Sequence, residues 1–507
     1  MVKKMTSPND RETLSSDVVE VRLQKLDQMR RLGVNPYPTH FHRTATNAEV
    51  AQRFAHLAAD TGSDEKVVVA GRVFASRNNS MFIDLHDATG KLQIFSHEKV
   101  TETESLAVLP LIEVGDIIGV EGTVRRTARG EITVDARVLH VLCKTIRPIP
   151  DTYHGIADVE LRYRRRYLDI MVEPESRTRF RQRSAILAGV RSFMQQEGFL
   201  EVETPMLQPI YGGATAQPFV THHNTLDMNL YLRIAPELYL KRLLISGLSD
   251  KVFEVNRNFR NEGVSTRHNP EFTMMEAYWA YADYVDVMGL IERLFSGLAI
   301  SLYGTPEVRY GERTISFAPP FRRLPMHEGV RDATGIDFLA IRSDAEARAA
   351  AAAKGFTVDP TATWGEVLAH IFEEKVESTL IQPTHVTHFP KDISPFAKEV
   401  DGEPRLVERF ETYCNAWEIC NAFSELNDPV EQRRRMTEQF EQEVARGEID
   451  RQLDEDFLEA MDYGMPPAGG LGIGIDRMIM LLTNAPSIRD VILFPTLRPR
   501  SSESPAA

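Results

Sequence analysis

Residues 252–278 read VFEVNRNFRNEGVSTRHNPEFTMMEAY. Two runs of alternating apolar and polar residues flank a loop of Gly, Ser, Thr, Arg, His and Asn, the pattern of an antiparallel hairpin. Parity sorts the side chains: Arg260 and Glu262 fall on one face of the first strand, and Phe272, Met274, Glu276 and Tyr278 on one face of the second. A cation, carboxylates and two aromatics can then line one concave surface. A solvated surface hairpin is the plainer alternative, but it gives no reason for aromatics and charges to share a face.

Working outward, GGLGIGIDRMIMLLT at 469–483 alternates Gly470, Gly472 and Gly474, so one face of that strand carries no side chains and a flat ring could lie on it. Arg477 opens the apolar helix that follows, setting a cation near helix N-terminal NH groups, which suits phosphate. The spacing is GxGxGxDR rather than GxGxxG and no βαβ unit surrounds it, so a dinucleotide fold is rejected. Upstream, GFLEVETPML at 198–207 reads as a helix ended by Gly198, an alternating strand, and Pro205 at an edge or interface. Further strands fall at 228–235, 405–412 and 417–425. They are not arranged as βαβ units, which favours an α+β fold with an antiparallel sheet flanked by helices.

The N-terminal part has a different period. From 66 to 147, five short Val/Ile-rich runs separated by turns such as ATGK and TARGE have the size and count of an OB-like β-barrel, a scaffold often used for single-stranded nucleic acid. Residues 1–65 form a lead-in with an amphipathic helix over 17–32, and the proline-marked stretch 148–175 reads as a linker. The second domain covers 176–497, opens on a helix near Ser176 and carries a helical insertion around 338–380. The tail 498–507 is expected to be disordered.

Composition narrows the function. The 507 residues include 59 Lys/Arg and 73 Asp/Glu, a net charge of -14, which argues against non-specific coating of nucleic acid. Residues 1–150 hold 20 basic and 19 acidic side chains, so the acidity belongs to the later part, and local RNA contacts by the barrel stay open. No apolar run approaches the roughly 18 residues that a bilayer crossing needs, so no membrane partner is expected. The polar start has no apolar h-region and Cys143, Cys414 and Cys420 form no CxxC pair, so a cytoplasmic location and reduced packing cysteines are expected.

The motifs at 198–207, 252–278 and 469–483, in this order, resemble those of the class II aminoacyl-tRNA synthetase catalytic domain, and the leading barrel resembles the anticodon-binding OB fold of one subclass. RIAPELYLKRL (233–243) and WEICNAFSELNDP (417–429) are similar to the lysyl-tRNA synthetase family rather than to its aspartyl and asparaginyl relatives. The resemblance implies ATP-dependent formation of lysyl-adenylate, transfer of lysyl to a lysine tRNA, Mg²⁺ as cofactor and a homodimer through the first motif. Relatives that lysylate a protein instead lack the barrel that this chain has.

By resemblance, Arg260 and Arg477 are the catalytic arginines: Arg260 contacts the α-phosphate and the lysine carboxylate, and Arg477 with Phe272 sandwiches the adenine. Arg267 and His268 hold the outer phosphates and Glu262 contacts the adenine side. Glu425, Glu276 and Tyr278 receive the ε-ammonium, Phe423 packs on the aliphatic stem, Glu237 and the backbone of Gly213 hold the α-amino group, and Asn421 assists Arg260 at the carboxylate. A two-residue turn at Asn415 and Ala416 would pair Thr412 with Ile419 and Tyr413 with Glu418, bringing Glu411 and Glu418 to one face. Two nearby carboxylates there suit Mg²⁺ shared with phosphate oxygens, although a solvated hairpin with scattered acids fits those residues as well.

A parity conflict follows. Asn421, Phe423 and Glu425 share one face of a regular strand, and Glu418 lies on the other; a β-bulge near Ile419 and Cys420 is expected to bring both sets into one pocket. On the barrel, Phe82 and Gln93 lie eleven apart across a hairpin, a stacking ring and an amide that can read a base edge; the resemblance implies that they meet the anticodon, with Arg77 and Glu131 as candidate partners, while Phe82 as a core residue and Gln93 as a solvated one remain the alternative.

Overall fold

The computed structural model describes residues 8–150, 155–214, 216–445 and 453–499. Most of the tail expected over 498–507 lies outside them. The chain divides into two compact units, one holding the N-terminal part up to Arg162 with Tyr167–Glu173, the other Tyr163–Arg166 and the chain from Pro174 onward.

In the first unit a helix over Pro8–Arg31 leads in. Only Leu26 and Met29 of its expected apolar stripe are buried; Val18, Val21, Leu23 and Leu32 stay exposed. Five strands, β1 (Thr61–Arg77), β2 (Phe82–His86), β3 (Lys91–Phe95), β4 (Ile117–Arg126) and β5 (Ile132–Cys143), close a barrel in the order β1-β2-β3-β5-β4. The barrel thus begins at Thr61, before the expected Lys66. A bulge between Val73 and Ala75 lets β1 pair with β4 along its first part and with β2 along its last. Inward positions of period two, among them Val67, Val69, Val73, Ile83, Leu85, Ile94, Val120 and Val134, are fully buried and form the core. Each such side chain contributes about 1.5–3 kcal/mol on burial. The stretch expected as a linker carries helices over Val159–Arg164 and Arg166–Val172.

The second unit is built on a nine-stranded sheet. Its strands are β6 (Leu200–Glu201), β7 (Lys251–Phe259), β8 (Glu271–Ala280), β9 (Arg322–Pro325), β10 (Thr384–Pro390), β11 (Glu403–Cys414), β12 (Trp417–Ser424) and β13 (Ala468–Gly474), in the spatial order β9-β10-β11-β12-β13-β8-β7-β6, with Glu399–Val400 beside β11. Pairing is antiparallel from β10 to β7, as expected, but parallel at both edges, β9 with β10 and β6 with β7. The alternating strand expected over 198–207 is reduced to the two residues of β6.

The helix Pro174–Gln196 ends where Gly198, at φ +87°, donates to the Gln195 carbonyl and Phe199 donates to that of Met194. It packs with the helices Tyr284–Tyr303 and Ile475–Leu482 on one side of the sheet, around Ile186, Val190, Met288, Ile291, Leu294 and Met478. Covering one face with helices leaves the other to build a site. Between β9 and β10 the insertion folds as helices over Met326–Thr334, Asp344–Ala353 and Trp364–Lys375, with a core of its own around Phe338, Trp364, Leu368 and Ile371.

Candidate active site

A cavity of about 560 Å³, within the range of small-ligand pockets, is lined by residues of β8, β12 and β13 and of the segments around 211–214, 235–238, 260–270 and 393–397. Every residue assigned above to ATP, lysine or metal lines it. One detail of the hairpin reading is corrected. Arg260 and Glu262 do not share a strand face, because β7 ends at Phe259. Arg260 NH still donates to the Pro270 carbonyl at 2.9 Å, but Pro270 has no NH to return, so the ladder stops and the chain turns out into the cavity wall.

At one end three carboxylates, Glu237, Glu276 and Glu425, are buried to 7%, 5% and 1% exposure. Two glycines make room for them. A Cβ at Gly470 would fall on Glu425 Oε1, and one at Gly213, where φ is +83°, would stand 2.9 Å from Glu237 Cβ. Burial, then repulsion from Glu237, pushes Glu276 well above the usual carboxylate range, and the Tyr278 hydroxyl donates to its Oε2 at 3.2 Å. Burial pushes Glu425 up to about 8 against the opposing charge of Lys241. Lys241, which no sequence reading singled out, is fully buried between Glu237 Oε1 at 2.6 Å and Glu425 Oε2 at 2.7 Å. It stands four residues after Glu237 on one helix, a spacing that in sequence reads as an ordinary surface pair.

At the other end lie the cations. Arg260 sits 5.2 Å from the Phe272 ring centroid, with a buried Nε that has no partner, and burial lowers its pKa. Arg477 NH1 donates to the Glu418 carbonyl at 2.8 Å and its NH2 lies 3.1 Å from His268 Nε2, while Ser265 Oγ holds His268 Nδ1 at 2.8 Å. Arg267 stacks over Trp417 at 5.2 Å. Asp476, buried beneath them, accepts from Thr273 NH at 2.7 Å and from Arg183 at 2.5 Å, tying the helix start to β8.

Between the two ends stand Glu411 and Glu418. Asn415 and Ala416 have φ of +54° and +59°, the signs of a type I′ turn, and pair Cys414 with Trp417 and Tyr413 with Glu418. The next pair is Thr412 with Cys420, not with Ile419 as a regular ladder would have it, so Ile419 is the extra residue of a bulge. The expected break is there, and it turns Glu418 to the side of Asn421, Phe423 and Glu425. Burial first, then the charge of Glu418, raises Glu411 to about 7, partly offset by Arg409. Arg409 is the second residue the sequence reading missed. Two positions before Glu411, and so on the same face, it donates to Glu411 Oε1 at 2.6 Å and to Asn421 Oδ1 at 3.0 Å, which joins the acidic pair to the neighbouring strand.

The barrel brings its own candidates together. Phe82 pairs with Phe95 and Asp84 with Gln93, so all four share one face of the β2–β3 hairpin. Phe82 is half-buried and stands outside the barrel core, its ring 5.1 Å from that of Phe95, over which Arg125 lies at 4.8 Å. Gln93 accepts from Thr133 at 2.9 Å, Arg77 forks onto Asp84 at 2.8 and 3.0 Å, and Glu131 is exposed in the β4–β5 turn.

A family model described as tRNA synthetases class II (D, K and N) matches residues 158–498, and one described as an OB-fold nucleic acid binding domain matches residues 67–142. The chain belongs to the class II tRNA synthetases. Lysine-tRNA ligase of Rhizobium meliloti (strain 1021) is 67% identical over 497 residues, 98% of this chain and 100% of that protein; that of Agrobacterium fabrum is 68% identical over 485 residues, 96% and 97% of the two chains. A more distant relative of the same name, from Carboxydothermus hydrogenoformans, is 49% identical over 487 residues, 96% of this chain and 99% of its own. Within the class, the chain belongs to the lysine-tRNA ligase family.

Proposed function

We infer that the chain is a lysine-tRNA ligase: it joins L-lysine to ATP as lysyl-adenylate, releasing pyrophosphate, and passes the lysyl group to the 3′-terminal adenosine of a lysine tRNA. The observation that carries this reading is one cavity with three buried carboxylates and the aromatics Tyr278 and Phe423 at one end and Arg260 and Arg477 at the other. Buried acids with aromatic walls favour a cationic side chain, and the exclusion of neutral isosteres follows because they would leave those acids unpaired.

Activation needs no protein nucleophile. The lysine carboxylate attacks the α-phosphorus, the new C–O–P bond forms and the bond to the β-phosphate bridging oxygen breaks. Arg260 neutralises both the attacking carboxylate and the α-phosphate; its buried Nε, which has no partner, is available for that. Phe272 and Arg477 clamp the adenine at the Gly474 end of the glycine strand, whose Gly470 end is covered by Glu425 and Tyr278, with Glu262 at its edge, and Arg267 and His268 hold the outer phosphates. Glu237 and Gly213 hold the α-ammonium, Glu425, Glu276 and Tyr278 the ε-ammonium, and Asn421, oriented by Arg409, the carboxylate.

Glu411 and Glu418 fit a Mg²⁺ site. Both line the cavity, and burial and the charge of Glu418 raise Glu411, a repulsion that a divalent cation would relieve. The ion would supply charge neutralisation at the phosphates.

Phe82 and Gln93, with Arg77 and Glu131 beside them, would read anticodon bases. Exposed apolar side chains near the first motif, Leu200 and Leu207, support a homodimer through that segment. No helix among the described residues is long and apolar enough to cross a membrane, and we place the enzyme in the cytoplasm, where its three free cysteines stay reduced. The test is lysine-dependent ATP–pyrophosphate exchange followed by charging of purified lysine tRNA. Both are expected; exchange without charging would point to another acceptor, and neither would refute the reading.

A further inference from the structure

Lys241 carries a charge that the reaction above does not use. Its Nζ has no exposed surface, lies 2.6 Å from Glu237 Oε1 and 2.7 Å from Glu425 Oε2, and is surrounded by the rings of Phe396, Phe423 and Tyr278 at 4.6, 5.5 and 6.0 Å. Each carboxylate gives this ammonium one oxygen and turns the other to a glycine. Glu237 Oε2 lies 3.5 Å from where a Cβ of Gly213 would stand, and Glu425 Oε1, buried and without a partner, occupies the position that a Cβ of Gly470 would take. The result is two acceptor oxygens, each beside a wall that lacks a side chain, on two carboxylates joined through one fixed cation. Burial alone would lower the pKa of such an ammonium; the two carboxylates outweigh it and leave it above the ordinary value.

We propose that Lys241 is a specificity-determining positioning residue: by gripping Glu237 and Glu425 together it fixes the distance between their two free oxygens, and so the length of diamino acid that the pocket accepts. Extended lysine carries its two ammonium groups one methylene farther apart than ornithine does, so a pair of oxygens fixed at the longer spacing cannot both be satisfied by ornithine. Without the grip, each glutamate is free to shift toward a shorter substrate, and lysine loses the advantage of a prearranged pair. This rests on the reading that Glu237 and Glu425 receive the two ammonium groups.

The test compares Lys241→Met, of similar length but uncharged, with wild type in ATP–pyrophosphate exchange driven by lysine or by ornithine. The expected result is a fall of about tenfold or more in kcat/KM for lysine, carried mainly by KM, with a fall of no more than about twofold for ornithine, so that the preference for lysine narrows by about fivefold or more while KM for ATP stays within about twofold. Equal losses with both amino acids would overturn the proposal, since loosened packing alone would produce them. So would an unchanged preference, or a lower KM for lysine, which would mean that the ammonium competes with substrate. The double variant Lys241→Met with Glu425→Gln leaves no net charge from that pair and guards against misfolding of the single one. It is expected to lose no more lysine affinity than Glu425→Gln alone, and additive losses would overturn the proposal. If Glu425→Gln by itself leaves lysine use intact, the placement of the ε-ammonium is what fails; if it impairs lysine use and Lys241→Met leaves the preference unchanged, only the role of Lys241 fails.

Discussion

Gly470→Ala adds a single methyl group to the cavity wall against Glu425. The new Cβ would fall on Glu425 Oε1 and stand 2.9 Å from Tyr278 Cε1. Both neighbours are buried, and Glu425 cannot retreat toward Lys241, which already lies 2.7 Å from its other oxygen. Two costs follow. Overpacking of a buried site costs about 1–3 kcal/mol of stability, read as a fall of a few degrees in Tm. Turning Oε1 out of its place would remove the charge-assisted hydrogen bond that we assign to the substrate ammonium, about 1.5–3 kcal/mol, which converts to roughly a 10- to 150-fold rise in KM for lysine. Exchange measured over a range of lysine at saturating ATP, then of ATP at saturating lysine, separates these effects: KM for ATP is expected to stay within about twofold. Gly472→Ala is the comparator on the same face, because its Cβ would meet nothing nearer than Met274 Cε at 3.4 Å. A folded Gly470→Ala enzyme with wild-type KM for lysine would refute the placement of the ammonium at Glu425 Oε1.

Three other outcomes are expected. Phe82→Ala should weaken charging through tRNA affinity by about 1–3 kcal/mol with exchange nearly intact, because the ring stands outside the barrel core; parallel losses in both assays would count against an RNA contact. Glu411, raised to about 7, binds a proton in the folded state that it releases near 4.5 when unfolded, so its contribution to stability is lost as pH rises from about 4.5 through 7. The Mg²⁺-free enzyme should therefore lose Tm across that window, Glu411→Gln should flatten part of the loss, and identical pH profiles would contradict the assignment. Ala416 holds φ +59° in the hairpin turn, a conformation that strains any side chain, so Ala416→Gly should raise stability by about 1 kcal/mol in chemical denaturation; a decrease would show that the turn is not strained there.

Much of the site could be read from parity. The bulge at Ile419 follows from needing Glu418 and Glu425 in one cavity, and Phe272 to Tyr278 lie on the expected face because an antiparallel strand has a strict period of two. Reading failed where an element ended or a partner came from elsewhere in the chain. Arg260 and Glu262 obey strand parity in sequence but lie beyond Phe259, where Pro270 across the ladder cannot donate. Lys241 at four residues from Glu237 looks like a solvated helix pair until Phe396 and Glu425, more than 150 residues on, are brought over it. The parallel edges β6 and β9 are too short, at two and four residues, to leave a pattern of their own.

The extra residue at Ile419 divides one strand into two stretches that are out of phase. Ahead of it stands Glu418, which we assign to the metal beside the nucleotide; after it come Asn421, Phe423 and Glu425, which we assign to the amino acid. Because the phase is reset between them, side chains from both stretches reach the same cavity, which a regular strand would place on opposite faces. A change of length by one residue would turn one stretch to the opposite side of the sheet and leave a half-site on each face.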